Sequence, residues 1–261
     1  MNKCKLSVII ITKNEEKNIE RCLKSVKWAD DIIVVDSFST DNTLNIVEKY
    51  TNNVYQIKWL GYANQRNFGA DRAKNDWILC IDSDEVVTLN LYKEIKETLQ
   101  NTTHYNGYYI PMKNFMFNRW MKYSGLNRQY HLRLYNKHKG RWIKDIHEIV
   151  KIGENIGYLK NIILHYAYNS INDLIKKIDV YTDLEAKALC EKNIKFNKWK
   201  ALGSSLIIFI YKYIFQKGFL DGYPGLIWAV SLAYYNFLKW LKVWEIYTTE
   251  EKANKSTNIY S

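Results

Sequence analysis

The sequence has few residues that break or cross-link a chain. Only 2 of its 261 residues are proline, which favours long helices and strands over many loops. Four cysteines, Cys4, Cys22, Cys80 and Cys190, are scattered and form no CxxC pair. Neither a zinc site nor a disulfide framework is therefore indicated, and a cytoplasmic location fits this usage.

No apolar run is long enough for a comfortable membrane span. The longest uncharged stretch, Gly222 to Leu238, is slightly shorter than the about 20 residues that a spanning helix needs, and it contains Pro224 and Gly225. We expect this stretch to be interfacial or buried. The first residues lead directly into a strand pattern, so we expect no signal peptide.

Negative charge is scarce in two parts of the chain. The net charge is +11, and its excess lies in residues 101–150 and 195–261. A basic zone suits a phosphate-bearing substrate, an anionic membrane surface or nucleic acid. Charge alone does not choose among these partners.

Strand and helix patterns alternate in the first hundred residues. Helical spacing of apolar residues separates four apolar runs that predict strands: Leu6–Thr12, Asp31–Asp36, Val54–Ile57 and Trp77–Ile81. Such alternation predicts an α/β fold with a mostly parallel, doubly wound sheet.

The pattern changes after residue 100. Short strand-like pieces follow in residues 105–168, and helices are predicted at 171–192, 199–217 and 224–247. We expect a catalytic domain at 1–168, with a donor half at 1–100 and an acceptor half at 101–168. Residues 169–261 would form a helical C-terminal region.

Polar clusters follow three of the predicted strands. They are Thr12–Glu15, Asp36–Asp41 and Asp82–Glu85. Ligands of open α/β sheets bind beyond the carboxyl ends of the strands, so these distant clusters should meet there.

Asp82 and Asp84 form a DxD pair after a buried strand. A departing diphosphate needs a divalent cation, and Mg²⁺ or Mn²⁺ prefers such oxygen ligands. The alternative is a solvated turn whose acids cap the next helix.

Asp36 is a second candidate, because a carboxylate at a strand end can accept hydrogen bonds from a base N–H or a ribose hydroxyl. Its alternative role is to shape a turn with Ser37. Asp41 is better explained as a helix N-cap.

Together, these clusters resemble glycosyltransferase family 2, an inverting family with the GT-A fold. The closest likeness is to the lipopolysaccharide- and lipooligosaccharide-core β-1,4-glucosyltransferase subgroup. The matching segments, in order, are Ser7–Glu15, Cys22–Val26, Asp31–Asp36 with Ser39–Asp41 and Thr43, Gln65–Gly69 and Trp77–Glu85. Less specific matches follow at Leu132–Tyr135, Ile146–Glu148, His165–Tyr166 and Gly218–Gly222. Many members carry a second Asp where this chain has Ser37.

The resemblance implies a separate role for each of several residues. The nucleotide pocket would be lined by Thr12, Asn14, Glu15 and Asp36. Arg66 would lie near the base or the diphosphate, Asp82 near the ribose and the metal, and Asp84 would be the main metal ligand. The implied donor is UDP-glucose, and the implied cofactor is a divalent cation, Mg²⁺ or Mn²⁺.

The reaction also needs a base that removes a proton from the acceptor hydroxyl. Asp145, His147 and Glu148 cluster in the less regular middle region. We prefer Glu148, because a carboxylate with an ordinary pKa is ionised at pH 7. His147 is the alternative base or a ligand of metal or diphosphate, and both residues could instead be ordinary surface residues of a strand.

Basic residues of the middle region could hold an anionic acceptor. Arg128, Arg133 and Arg141 are the candidates, and a solvated basic face is the alternative. His165 follows an apolar run and is more typical of a core histidine than of a ligand.

Other functions explain less of the sequence. A nucleotidyltransferase usually carries a Gly-rich loop after its first strand, and Thr12–Glu15 contains no glycine. A nucleic-acid-binding protein would not place acidic clusters at three strand ends, so we expect no nucleic-acid partner. The acceptor is expected to be a saccharide of a cell-envelope glycan, with a polyprenyl phosphate or a protein as the alternative.

The C-terminal helices combine aromatic residues with lysines between Trp199 and Trp244. This composition favours a peripheral location on the anionic inner face of the cytoplasmic membrane. Packing on the sheet domain or a homo-oligomer is the alternative.

Overall fold

The computed structural model describes residues 5–101, 104–143 and 148–257, with side chains up to residue 249. The chain divides into two compact units. The first, called the sheet unit, comprises Met1–Asn114 and Arg128–Ala167. The second, called the helical unit, comprises Phe115–Asn127 and Tyr168–Ser261.

The first part of the sheet unit is a parallel βα repeat. Its strands are β1 (Leu6–Thr12), β2 (Asp31–Asp36), β3 (Val54–Gln56) and β4 (Trp77–Asp82), and its helices are α1 (Ile19–Val26), α2 (Thr43–Val47) and α3 (Tyr62–Arg72). The strands lie in the order β3-β2-β1-β4, and all three pairings are parallel. Every residue of β1 is buried, as expected for the central strand of a sheet covered on both faces.

Antiparallel strands extend this sheet beyond β4. They are β5 (Glu85–Val87), β6 (Gly107–Met116), β8 (Gln129–Asn136), β11 (Ile156–Tyr158) and β12 (Ile163–Tyr168). The order continues β4-β8-β6-β12-β5, with β11 parallel to β6. Helix α4 (Leu89–Gln100) follows β5, and its N-cap Thr88 accepts a hydrogen bond from the N–H of Leu91. A separate antiparallel pair contains β9 (Gly140–Ile143) and β10 (Ile149–Ile152).

Helix α3 packs unusually close to the sheet. A Cβ on Gly69 would lie 2.6 Å from Cγ2 of Ile9 in β1, closer than real Cβ contacts. The absence of a side chain at this position therefore sets the distance between α3 and β1, and α3 carries Arg66 one turn before Gly69.

The predicted fold class is confirmed: an α/β sheet with a parallel first half and a helical C-terminal region. The short strand β5 was not predicted, because three residues are too few to show a period. Asp41 is also not the N-cap of α2, which is Asn42. Asp41 instead accepts hydrogen bonds from the N–H and the hydroxyl of Thr43.

The helical unit contains three long helices. They are α5 (Ile171–Glu191), α6 (Lys198–Ile210) and α7 (Tyr223–Thr257). A short strand, β7 (Arg119–Trp120), pairs with the end of β6 in the same unit. No helix of residues 5–101, 104–143 and 148–257 is long and apolar enough to cross a membrane.

The single helix predicted at 199–217 is divided in the structure. Helix α6 ends at Ile210, a π-helical turn covers Tyr211–Phe215, and a 3₁₀ turn follows at Gly218–Asp221. Lys217 has a left-handed backbone with φ of 56°, which ends the π-helical turn. Helix α7 begins close to its predicted start but runs to Thr257, ten residues beyond its predicted end, through a polar segment without Gly or Pro.

Asp221 and two glycines organise the turn before α7. The buried carboxylate of Asp221 accepts hydrogen bonds from the backbone N–H groups of Lys122 (3.0 Å) and Tyr123 (2.9 Å). A Cβ on Gly225 would lie 1.9 Å from the carbonyl oxygen of Gly218. Only glycine permits this close approach of two backbone segments.

Candidate active site

The strand register brings three candidate residues to one edge of the sheet. Thr12 in β1 is paired with Asp36 in β2, and Ile11 is paired with Asp82 in β4. The carboxyl ends of these parallel strands therefore coincide. This edge is where open α/β sheets bind their ligands.

The loops after β1 and β2 are joined by hydrogen bonds. The N–H of Asn14 donates to Oγ of Ser39 (2.8 Å), and Oδ1 of Asn14 accepts from the N–H of Thr40 (2.8 Å). Asn14 has a left-handed backbone with φ of 54°, a conformation that Asn tolerates better than most residues. The N–H of Glu15 donates to Oγ1 of Thr43 (2.8 Å). Asn14 and Glu15 thus hold the two loops together.

Asp36 is fully buried and organises the loop that follows it. Its Oδ2 accepts hydrogen bonds from the N–H of Ser39 (2.9 Å) and from Nε2 of Gln56 (3.2 Å). Its Oδ1 accepts from the hydroxyl of Ser39. These contacts correspond to turn formation, with Ser39 rather than Ser37 as the partner.

Two buried polar atoms near this edge have no hydrogen-bond partner within the described part of the chain. They are Oγ1 of Thr12 and Oε1 of Gln65. Nε2 of Gln65 donates to Oγ of Ser37 (2.7 Å), and the N–H of Ser37 donates to the carbonyl oxygen of Thr12. Buried polar atoms normally have partners, so such atoms indicate a position for a ligand or water.

Arg66 joins two carboxylates from distant parts of the sequence. Its guanidinium donates to Oδ1 of Asp82 (2.7 Å) and to Oε1 of Glu148 (2.6 Å). The Arg66 residue is only 1% exposed. Its guanidinium carbon lies 4.6 Å from the ring centre of Trp142, a cation–π contact.

Arg133 forms a second link. One of its terminal nitrogens donates to Oδ2 of Asp82 (3.0 Å) and to Oε1 of Glu85 (2.7 Å). The N–H of Asp82 donates to Oε2 of Glu85 (2.9 Å). Each carboxylate oxygen of Asp82 therefore accepts a hydrogen bond from a different arginine. Glu85 accepts hydrogen bonds from both Arg133 and the N–H of Asp82, so it connects Arg133 to the end of β4.

The two arginines determine the charge of Asp82. Burial opposes its ionisation, but Arg66 and Arg133 outweigh burial and hold the pKa of Asp82 below its usual range. Burial raises the pKa of Glu85 to about 7, although Arg133 opposes this change. Asp82 is thus an anion at neutral pH.

Asp84 lies beside a histidine from β12. Its Oδ2 is 3.5 Å from Nε2 of His165, and Nδ1 of that ring lies 2.8 Å from Oδ1 of Asn114. The pairing of β5 with β12 places His165 opposite Glu85. No group of three or more His, Cys, Asp or Glu residues that could hold a metal ion occurs among the described residues.

The other predicted positions have different surroundings. Arg141 forms an exposed two-point ion pair with Asp71 (2.7 and 2.9 Å), and Arg128 donates to the carbonyl oxygen of Lys160 (3.3 Å). Neither is joined to Asp82, whereas Arg133 is. His147 and Asp145 lie outside the described residues.

Two further residues of the site, Glu85 and Trp142, are not predicted individually from the sequence. Glu85 is 1% exposed and joins the DxD segment to Arg133. Its position next to Asp84 in the sequence indicates a place at the site, but a glutamate after a turn is equally typical of an acid that caps a helix. Trp142 had no signal in the sequence, because its contact with Arg66 depends on the packing of β9.

Comparison with known proteins gives the family. The family described as glycosyl transferase family 2 matches residues 7–166. The chain belongs to glycosyl transferase family 2. The resemblance stated from the motifs is confirmed, and with it the GT-A type of fold expected for the sheet.

Relatives match over almost the whole chain. An uncharacterized glycosyltransferase of Rickettsia bellii is 32% identical over 270 residues, covering 98% of this chain and 91% of the relative. The lipopolysaccharide core biosynthesis glycosyltransferase LpsC of Rhizobium meliloti is 26% identical, covering 97% and 96%. A crystal structure of S. aureus TarS in complex with UDP has a TM-score of 0.47 and 20% identity, covering 83% of this chain and 74% of that chain.

Proposed function

We propose that this family 2 enzyme transfers a sugar from a nucleoside diphosphate sugar to a saccharide acceptor, and that the sugar is glucose. The acceptor would belong to the lipopolysaccharide or lipooligosaccharide core or to a related cell-envelope glycan. The contact of Arg66 with both Asp82 and Glu148 carries the proposal. It joins a carboxylate at the donor edge of the sheet to the residue that we favour as base. UDP-glucose is favoured through the likeness to the glucosyltransferase subgroup, and the similarity to LpsC, a lipopolysaccharide core biosynthesis glycosyltransferase of Rhizobium meliloti, supports the acceptor class.

The donor would bind at the edge formed by Thr12, Asn14, Glu15 and Asp36. Oγ1 of Thr12 and Oε1 of Gln65 are buried polar atoms that a nucleotide could satisfy with hydrogen bonds. Asn14, Glu15 and Asp36 would act mainly by holding the loops in place, since their hydrogen bonds join the segments after β1 and β2.

The residues present fit a divalent cation. Mg²⁺ is usually held by one or two carboxylates together with substrate phosphates and water, so a cage of three protein ligands is not required. Asp84 would be the main ligand. Asp82 would lie near the ribose and the ion, with its orientation set by Arg66 and Arg133. The cation would neutralise negative charge that develops on the leaving diphosphate.

The reaction would be a single in-line displacement at the anomeric carbon. The acceptor hydroxyl attacks, the bond to the diphosphate breaks, and Glu148 accepts the hydroxyl proton as the bond to the sugar forms. Arg66 orients Glu148 through its 2.6 Å hydrogen bond. His147 remains the alternative base.

The helical unit would place the enzyme at the cytoplasmic face of the membrane. Exposed aromatic and apolar side chains occur along α6 and the turns after it, among them Trp199, Phe215 and Tyr223. Aromatic rings and lysines favour such an interface. A homo-oligomer is the alternative.

A thermal-shift panel of UDP-glucose and other nucleotide sugars, with and without Mn²⁺, tests the donor. A ligand that binds only the native state raises the melting temperature. We expect UDP-glucose to stabilise the protein, more strongly with Mn²⁺, and Asp84→Asn to remove the added effect of Mn²⁺. Asp76→Asn, at an exposed carboxylate of the same unit, is the matched control. If no nucleotide sugar stabilised the protein under either condition, the donor assignment would be wrong.

A further inference from the structure

Helix α6 has small residues on its buried face and large apolar residues on its exposed face. Ala201 and Ser205 are buried, and Nδ2 of Asn236 in α7 donates to Oγ of Ser204 (2.7 Å) and of Ser205 (3.0 Å). On the exposed side, Leu206 and Ile207 are 61% and 66% accessible. The exposed face of a surface helix normally carries polar residues, so these large apolar side chains indicate an apolar partner.

The apolar surface continues beyond α6 through the turns that follow. Its exposed members, called the apolar face, include Trp199, Leu206, Ile207, Phe215, Leu220 and Tyr223. Exposed apolar surface of this extent is unusual and marks an interaction site.

The segment that carries most of the apolar face has charged side chains of positive sign only. Residues 192–220 contain six lysines and no Asp or Glu. In a symmetric dimer built on this face, the same lysines would meet each other and repel. An anionic lipid surface instead complements both the apolar side chains and the positive charge.

A pocket of about 400 Å³ adjoins the apolar face. Its lining residues are Arg119, Trp120, Lys122, Tyr123, Leu220 and Asp221. Leu220 belongs to both the pocket and the apolar face. The N–H of Ser124, next to Tyr123, donates to the carbonyl oxygen of Gln216 (2.9 Å), which joins the pocket wall to the end of the π-helical turn.

The pocket offers two cations to a ligand. Neither Arg119 nor Lys122 has an ion-pair partner among the residues with described side chains. Nζ of Lys122 lies 5.0 Å from the ring centre of Trp120. The oxygens of Asp221 accept two backbone N–H groups, which offset part of its negative charge.

We propose that this pocket binds the phosphate of an anionic phospholipid headgroup while the apolar face enters the interfacial layer of the membrane. Arg119 offers a planar guanidinium suited to phosphate oxygens, and Lys122 adds a second positive charge. The aromatic rings of Trp120 and Tyr123 suit the boundary between headgroups and acyl chains. This inference rests on the proposed membrane location and adds the residues and the ligand class.

Co-sedimentation of the full chain with phosphatidylglycerol vesicles and with phosphatidylcholine vesicles tests the proposal. The double variant Arg119→Ala with Lys122→Ala should bind phosphatidylglycerol about thirtyfold more weakly, because each basic residue near the surface contributes roughly a fivefold factor. Lys93→Ala with Lys96→Ala removes the same charge from an exposed face of α4 in the sheet unit and should change binding less than twofold. Leu206→Ser with Ile207→Ser should weaken binding while leaving the pocket intact.

Three results would overturn the proposal. Equal losses in the pocket variant and the lysine control would mean that only net charge matters. Equal binding to both kinds of vesicle would mean that no anionic headgroup is recognised. Concentration-dependent dimerisation without vesicle binding would make the apolar face a contact between two copies. Nucleotide-sugar thermal shifts on the same preparations test the donor assignment separately, since vesicle binding needs no sugar transfer.

Discussion

Arg66 and Glu148 are 82 residues apart in the sequence, and the guanidinium of Arg66 donates to Oε1 of Glu148 at 2.6 Å. The same guanidinium holds Asp82 at 2.7 Å. Helix α3, the end of β4 and the residue before β10 therefore meet at one side chain. Arg66 therefore connects Asp82, at the sheet edge that we propose for the donor, to Glu148, the residue that we propose as base.

Arg66→Met should lower the free energy of unfolding by about 3–5 kcal/mol, because it leaves buried carboxylates without their cation. Arg72→Met, an exposed position on the same helix, is the matched control and should change stability by about 0.5 kcal/mol or less. Urea denaturation of both variants measures the difference. Similar values for the two would show that the buried ion pairs contribute no more to stability than a surface arginine.

Asp84→Asn should abolish sugar transfer while leaving the fold intact. The neutral amide would weaken cation binding and thereby reduce stabilisation of the leaving diphosphate. Turnover with UDP-glucose is measured alongside circular dichroism, with Asp76→Asn as the control. Normal turnover by folded Asp84→Asn would disprove the role of Asp84 as metal ligand.

Glu148→Gln should retain donor binding but lose about 100- to 10,000-fold in turnover, as expected on removal of a general base. Isothermal titration with the donor and initial-rate kinetics separate the two effects. If the loss were under about tenfold, or if His147→Ala lost more turnover with unchanged binding, the role of base would move to His147.

Cys80 should resist thiol reagents in the native protein. Burial raises the pKa of its thiol to about 12, so at pH 8 the reactive thiolate is much rarer than for a free cysteine. Mass spectrometry after labelling at pH 8, with and without denaturant, measures this protection. Rapid labelling of Cys80 without denaturant would contradict the buried position in β4.

Gly225→Ala should destabilise the protein by about 1–3 kcal/mol, since the new methyl group would overlap the carbonyl oxygen of Gly218. Gly203→Ala is the matched control, because a Cβ there meets no atom within 4 Å. That substitution should instead stabilise helix α6 by about 0.5–1 kcal/mol. The melting temperatures of the two variants should shift in opposite directions, and an unchanged or raised melting temperature of Gly225→Ala would show that the close approach is unimportant.

Most of the parallel sheet could be predicted from the sequence. Strands such as Leu6–Thr12 are continuous β-branched runs, and helical spacing separates them, so local pattern and global fold agree. The three polar clusters at strand ends could be recognised for the same reason. The antiparallel half was less predictable, because β5 and β7 have three residues or fewer.

The contacts of the site could not be derived from the sequence. Three carboxylates, Asp82, Glu85 and Glu148, were visible as acidic residues, but nothing local assigned them to Arg66 and Arg133. Such pairings depend on how distant elements pack. Asp36 illustrates the same limit, since Gln56 from β3 is one of its partners.

The sequence by itself determined the alternation of strands and helices, the family and the positions of the strand-end carboxylates, because these follow from local patterns and ordered motifs. Only the tertiary structure decided that Arg66 joins Asp82 to Glu148 and that α6 turns Ser205 inward and Leu206 outward. The physical reason is that periodicity shows that a helix has two faces, whereas packing against Asn236 selects the face that is buried.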